Sequence, residues 1–434
     1  MRALVLAFLL APLSAQEIWV DAVTGSDLNP GTPTQPLQSI TAGLAAANPN
    51  STVYVRPGVY SVMTTNERFP LQIGNGLTQD GLTLYAFDGA VLDLANAAGM
   101  AIQVGNFANG GRITGLTIAN MDQSDWWARA INAGTFNGQG SSTGFEIDRC
   151  RFVDVNRGIV LWQGTPILGW RIHDNLFLRL GNDGINEFDL GSANLIHDNT
   201  FAGGAHLGVL SDADQTLVVN NVFTGLRVGV ASGAGSAAAS ARVRSNAFWQ
   251  NTRDVEGAAF PNGLPGANLT VDPLFVNQAN GDYHLLAQSP LIDAGDPLPG
   301  QRADLDRIAG QVDGNLDGLV RTDIGAYEFT PVRVTASATN AVNLSFQIVT
   351  NSPSLAVAAV VFGLDEGLIP IPGMSPILIA PGLMVPDAFV AVMPYSLTMV
   401  IPPLQPGTRI VVQGFGFDPG GPRLVSGAAV RLQF

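Results

Sequence analysis

Five stretches decide the fold: Phe145-Glu-Ile-Asp-Arg-Cys-Arg-Phe152, Trp170-Arg-Ile-His-Asp-Asn-Leu-Phe177, Leu195-Ile-His-Asp-Asn-Thr-Phe201, Leu217-Val-Val-Asn-Asn-Val-Phe223 and Val243-Arg-Ser-Asn-Ala-Phe248. Each opens on an apolar strand start. Asn175, Asn199, Asn221 and Asn246 stand two residues before Phe177, Phe201, Phe223 and Phe248, and Cys150 takes the same place before Phe152. The phenylalanines are spaced 25, 24, 22 and 25 residues apart. A turn and a second apolar strand follow each of the first four, at Gly158-Ile-Val-Leu161, Gly184-Ile185, Gly208-Val-Leu210 and Gly229-Val230. A repeat this short, with two visible strands per unit, is that of a right-handed parallel β-helix. Coils stacked about 4.8 Å apart place equivalent residues in columns. The phenylalanines then fill the core, and the asparagines form an amide ladder in which each side chain donates and accepts. Cys150 fits as a small buried member at the ladder's end rather than a nucleophile. A β-propeller needs units of about 40 residues, which this period excludes.

Composition agrees with a chain made mostly of core and turns. Only 13% of the 434 residues are charged, while 46% are hydrophobic, with 50 Gly and 27 Pro. That balance excludes disorder and lacks the charged outer faces of helices, so an all-β fold is expected. The 21 basic residues are all Arg, which excludes mechanisms needing a Lys base or Schiff base. A net charge of −14 argues against nucleic acid and anionic membrane surfaces as partners. With one Cys, no intramolecular disulfide is available.

The chain divides into five regions. Residues 1–15 read as a secretory signal peptide: Arg2 is the positive start, Ala3 to Ala11 the apolar stretch, and Ser14-Ala15 the small-residue cleavage site. Export to the extracellular space or cell surface is expected, and no later apolar run is long enough to span a bilayer. Residues 16–95 form an N-terminal cap and first coils, where Leu37, Ile40, Leu44 and Ala47 share one helical face before the strand Val53-Tyr-Val55. Residues 96–260 are the central coils and 261–330 the C-terminal end of the β-helix. Residues 331–434 read as a small β-sandwich. Its strand-like runs are Val342 to Val349, Leu355 to Phe362, Phe389 to Val392, Ser396 to Ile401, Arg409 to Phe417 and Ala428 to Phe434.

Trp19-Val-Asp21, Gly25-Ser-Asp27, Asn29-Pro-Gly-Thr32 and Tyr54-Val-Arg-Pro-Gly-Val-Tyr60 resemble the opening of secreted bacterial right-handed β-helix proteins of the pectate-lyase-like superfamily. Asp272-Pro-Leu-Phe275, Gly281-Asp-Tyr-His-Leu285, Ser289-Pro-Leu-Ile-Asp-Ala-Gly-Asp296 and Asp323-Ile-Gly-Ala-Tyr-Glu328 look like its closing segment. That group is functionally mixed, so the resemblance implies the fold and not catalysis.

Columns turn spacing into distance. Arg157, Asp183 and Leu207 each precede the glycine of the second strand in successive coils, His206 lies one position earlier, and Arg129, before Ala130-Ile131, continues the column upstream. In-register stacking puts them along one edge, neighbours about 5 Å apart. Trp126, Trp127 and Trp162 fall nearby, with Glu187, Asp189, Asp212 and Asp214 beyond. Aromatic rings stack on the apolar face of a sugar, and Arg pairs with carboxylates bidentately, so these residues form a candidate groove for a polysaccharide or cell-surface glycan. Gly181-Asn-Asp-Gly-Ile185 looks like the Gly-Asp-Asp segment of polygalacturonase-type hydrolases, and His206 falls where their His lies. Asn182 and Arg157, however, stand where that family has Asp. Asp183, His206 and Arg157 are therefore the candidate catalytic set for a hydrolase, which needs two carboxylates, or for a lyase with an Arg or His base. The same residue types also occupy ordinary β-helix turns. The reading is accordingly a polysaccharide-binding solenoid. A lyase or hydrolase of a uronate-containing polymer and a structural adhesion protein are the alternatives.

Asp313-Gly-Asn315-Leu-Asp317-Gly318 followed by Asp323 spaces oxygen ligands as a Ca²⁺ loop does, with Asp304 and Asp306 near in sequence. An Asx-rich turn is the other reading of these residues.

Overall fold

The computed structural model describes residues 15–331 with their side chains, apart from 75–78, 106–107, 135–141, 163–166, 189–192, 205, 212–214, 233–241, 299, 301–302, 309–310 and 318. It describes the backbone of the strands between 332 and 433. The expected signal peptide lies outside the described residues.

Among the described residues the repeats form a parallel β-solenoid with three long sheets and a short two-stranded one, Ser142–Thr143 with Ile167–Leu168. The first has nine strands, from Glu17–Val20 to Val243–Arg244. The second also has nine, from Gly58–Tyr60 to Leu269–Thr270, and the third has eight, from Leu71–Ile73 to Arg253–Gly257. Register is kept coil to coil: Phe152 pairs with Phe177, Phe177 with Phe201, Phe201 with Phe223 and Phe223 with Phe248. The five rings are fully buried and stacked, with centroids 4.5 to 5.0 Å apart.

The asparagine ladder turns the corner between the first and second sheets. Oδ1 of each residue accepts the backbone N–H of the preceding rung, from Cys150 through Asn175, Asn199, Asn221 and Asn246. Each Nδ2 donates to the next Oδ1 at 2.9 to 3.0 Å. Asn268 adds a rung beyond those read from the repeat. Burial and the charge of Asp148 push the Cys150 thiol up to about 12, in keeping with a structural role.

At the front, the helix Ile40–Ala46 covers the open core with Ile40 and Leu44. Leu37 and Ala47 flank it and are buried as well. Ser39 caps its first turn by accepting from the Ala42 amide at 3.0 Å, and the Glu67 carboxylate accepts from the Ile40 and Thr41 amides.

After Leu269–Thr270 the chain folds back along the outer face of the second sheet. There Tyr283, Leu305, Ala326 and Tyr327 pack on Leu176, Leu178 and Ala202, and Leu285, Leu291, Ile324 and Phe329 pack on Val222 and Ala247. Arg307 reaches Tyr85 and the Ala86 carbonyl, more than 200 residues away in sequence. The apolar alternation of the second-sheet strands demands such a cover, because it leaves Leu176, Leu178 and Val222 facing outward.

The C-terminal region contains antiparallel sheets. Val332–Asn340, Asn343–Thr350 and Tyr395–Val400 form one; Ala391–Val392, Val357–Gly363, Arg409–Asp418 and Arg423–Gln433 form another. Val332–Asn340 was not among the strands expected from the sequence, and the last strand begins at Arg423 rather than Ala428.

A pair of stacked histidines lies in the first sheet, with His173 and His197 ring centroids 4.6 Å apart. Burial pulls both toward the neutral form. At His173 the hydrogen bonds to Asp174 and Glu146 outweigh burial and carry it up to about 9. At His197 burial wins, helped by the charges of His173 and Arg171, and it falls to about 4 despite Asp198. Their surroundings thus drive the two rings in opposite directions, His173 toward the imidazolium and His197 toward the neutral imidazole. The His173 contribution to stability is complete below its unfolded value near 6.5 and is lost as pH rises through about 9. For His197 the contribution is complete above that same unfolded value and is lost as pH falls toward about 4. Imidazole ¹⁵N shifts of the folded protein are expected to show one ring still protonated at pH 8 and another still neutral at pH 5. A single shared midpoint near the unfolded value would contradict this.

Candidate functional site

The turn leading into the third sheet supplies one residue per coil to a common edge. Arg129 pairs in register with Arg157, and Ile159 with Ile185, which carries the column on to Asp183. The glycine after Arg157 and after Asp183 is required by the core. A Cβ at Gly184 would lie 2.5 Å from the Gly208 carbonyl and 2.6 Å from the Phe201 ring. The residue before each glycine is thereby held at the turn.

The structure brings Arg157, Asp183 and His206 together. Asp183 is 3% exposed and lies 2.6 Å from His206 Nδ1 through Oδ1. Its Oδ2 accepts from Asn186 Nδ2 at 2.8 Å and stands 3.5 Å from Arg157 Nε, an ion-pair distance without hydrogen-bond alignment. With its amide oriented by these neighbours, Asn182 donates to Asp183 Oδ1 at 2.9 Å and accepts from Arg157 Nη2 at 3.2 Å. On the outer side, Arg227 Nη2 donates to His206 Nε2 at 3.0 Å. An arginine can only donate, so Nε2 accepts and Nδ1 carries the proton given to Asp183. The dyad is thus an oriented imidazole with Arg227 seated on its outward nitrogen. Arg227 and Asn186 were not among the residues read from the sequence. Arg227 continues the column one coil beyond His206, so the signal was present.

Aromatic rings lie over this edge. Trp126, 62% exposed, stacks on the Arg157 guanidinium at 4.1 Å, and its carbonyl accepts from Arg157 Nη1. Trp127, 56% exposed, stacks on Trp162 at 6.3 Å, and Trp162 stacks on Phe188 at 5.5 Å. Trp162 is fixed by donating Nε1–H to Asn132 Oδ1 at 2.6 Å. Arg129 lies within cation–π reach of both Trp127 and Trp162, at 5.6 and 5.0 Å. Burial, then the like charge of Arg157, lowers the Arg129 guanidinium below its ordinary value.

Other expected residues fall elsewhere. Glu187 is fully buried, accepting from Asn194, Ser211 and Thr216 at 2.6 to 2.7 Å, and so braces a turn instead of lining the groove. Its strand position alternates inward, which spacing alone did not reveal. Asp189, Asp212 and Asp214 lie outside the described residues. Asp183, with both oxygens engaged, is placed to orient His206 rather than to protonate a leaving group. Asp183 and Glu187 therefore do not form the pair of carboxylates that hydrolysis needs.

The Ca²⁺ loop expectation meets a different geometry. Asp323 is buried and accepts from the Asp293 and Phe329 amides through its two oxygens. Asp317 accepts from the Leu319 amide and faces Arg321, and Asn315 accepts from the Asp317 amide. Asp313 is also buried. Asp304 accepts from Ile308 and Glu328 amides, while Asp306 meets His284. Among the described residues no three His, Cys, Asp or Glu side chains are grouped to hold a metal ion. Asp304, Asp317 and Asp323 thus satisfy backbone amides of the folded-back segment.

Among solved structures, the chain is similar to the GH136 lacto-N-biosidase from Eubacterium ramulus, at 12% identity over 58% of this chain and 67% of that one, with a TM-score of 0.37. It is also similar to a rhamnogalacturonan lyase, at 12% identity over 56% and 71%, with a TM-score of 0.36. No curated protein matches the sequence. Among the described residues no helix is long and apolar enough to cross a membrane. Residues 23–285, which contain the coils, the arginine column and the tryptophans, match the family described as "Protein of unknown function (DUF1565)", and the chain belongs to that family.

Proposed function

We propose that this is an exported β-helix protein that binds polysaccharide along the turn edge and outer face of the third sheet. The observation that carries the reading is the pairing of exposed tryptophans with buried arginines: Trp126 on Arg157, and Trp127 with Trp162 on Arg129. Exposed indoles are costly in water and of use where an apolar sugar face covers them. Arginines beneath them fix ring orientation, so little entropy is lost when a sugar docks.

Binding to a panel of neutral and acidic polysaccharides tests it by affinity electrophoresis and calorimetry. Trp126→Ala and Trp127→Ala are each expected to weaken binding about tenfold, equivalent to ~1.4 kcal/mol, with unchanged melting. Retained affinity in both variants would remove the proposal's basis.

One observation favours a second reading as an enzyme acting on a uronate-containing polymer: the Asp183–His206 hydrogen bond orients an imidazole whose accepting Nε2 would serve as a base when substrate displaces Arg227 from it. The same polymer panel distinguishes the two readings. Unsaturated oligouronides would identify a lyase and new reducing ends a hydrolase, whereas binding without either product leaves the binding reading.

A further inference from the structure

We infer that Arg129 is the receptor for an oxyanion carried by the glycan, a carboxylate or a sulfate group, seated beside Trp127 and Trp162. The inference rests on the polysaccharide-binding reading and adds the chemical class that the groove selects.

Arg157 and Arg129 occupy equivalent places in adjacent coils, yet their surroundings differ. Arg157 has Asp183 within ion-pair distance and donates to the Trp126 carbonyl. Arg129 is 7% exposed, and its Nε and Nη1 are enclosed without an acceptor. Its polar surroundings do not fill that need. Asp125 is the carboxylate that acts on it electrostatically, but the Asp125 oxygens accept from the Gly99 and Trp127 amides. Asn132, in the same strand, uses its amide for Gln103, the Gly134 carbonyl and Trp162. The remaining neighbour with charge is Arg157, which repels it.

A buried guanidinium with unmet donors is costly, more so beside a second one. An oxyanion resolves both costs by accepting from the planar fork and neutralising the local positive charge. Trp127 and Trp162 keep the site partly dry, which strengthens such a pair relative to water. A ring carrying the anion would then rest its apolar face against the exposed Trp127.

The test uses the full-length chain and two matched pairs: polygalacturonate against its methyl ester, and dextran sulfate against dextran. At least one charged member is expected to bind about tenfold or more tightly than its neutral counterpart, with affinity falling as salt rises. Which pair shows the difference identifies carboxylate or sulfate as the source. Arg129→Gln is expected to abolish the difference, and Arg129→Lys to restore only part of it, because the ammonium lacks the fork. Equal affinity for charged and neutral members in the unmutated protein overturns the anion site while leaving polysaccharide binding intact. If no polymer binds, that broader reading falls, and titration with sulfate and acetate decides the anion site separately. Quenching of tryptophan fluorescence that disappears in Arg129→Gln supports it, and no change with either ion in the unmutated protein refutes it.

Discussion

Asn199→Ala is expected to lower solenoid stability by on the order of 4 kcal/mol, seen in denaturant unfolding as an earlier midpoint. Asn199 sits mid-ladder and is fully buried. Its Oδ1 accepts from the backbone N–H and the Nδ2 of Asn175, while its Nδ2 donates to Asn221 Oδ1 and to the Ile172 and His197 carbonyls. Truncation leaves several of these groups buried without partners, and each costs about 1–3 kcal/mol if water cannot reach it. The same change at Asn268, half-buried at the ladder's end, is expected to cost about 1 kcal/mol, because solvent can replace the lost bonds. Equal losses at the two positions would show that the ladder is not the source of the effect.

Phe201→Ala is the second large effect, about 4 kcal/mol from lost burial and the cavity left behind. Phe201 is stacked on both sides, against Phe177 at 4.5 Å and Phe223 at 4.9 Å. The ring also explains the glycine of the third-sheet turn, since a Cβ at Gly184 would lie 2.6 Å from it. Gly184→Ala alone should therefore destabilise by about 2–3 kcal/mol through overpacking. Combined with Phe201→Leu it should cost less than the two single losses added together, because the smaller side chain removes part of the clash. Strict additivity in that double-mutant cycle would contradict the contact. Because Gly184 follows Asp183, the Phe column indirectly sets the position of the site residues.

Much of this architecture was legible in the primary structure because a solenoid converts periodicity directly into contact. Asn-x-Phe at a near-constant period places identical groups at hydrogen-bonding and stacking distance, so the ladder and the Phe column followed from spacing alone. The meeting of Arg157, Asp183 and His206 followed from the same column argument. Extending it one coil would have found Arg227. The groove residues were less legible. Glu187 has the chemistry of a ligand-facing carboxylate, but strand alternation and the closure by Asn194, Ser211 and Thr216 direct it inward. The spacing of Asp313, Asn315, Asp317 and Asp323 resembles that of a cation loop, yet the oxygens of Asn315 and Asp317 meet amides and an arginine of their own turn, and those of Asp323 meet the Asp293 and Phe329 amides.

Local repetition by itself therefore determined the coil, its core columns and which residues share an edge, because those contacts join positions one repeat apart. Only tertiary structure decided the rest. It folded residues 272–330 back across the second sheet, where outward-facing Leu176, Leu178 and Val222 needed an apolar cover. It also paired Arg157 with Asp183 and Arg227 with Glu256, seating Arg227 on the His206 ring, while leaving the Arg129 guanidinium without an acceptor for its enclosed nitrogens. Which charges are paired depends on side-chain directions across coils, and spacing in a sequence carries position but not direction.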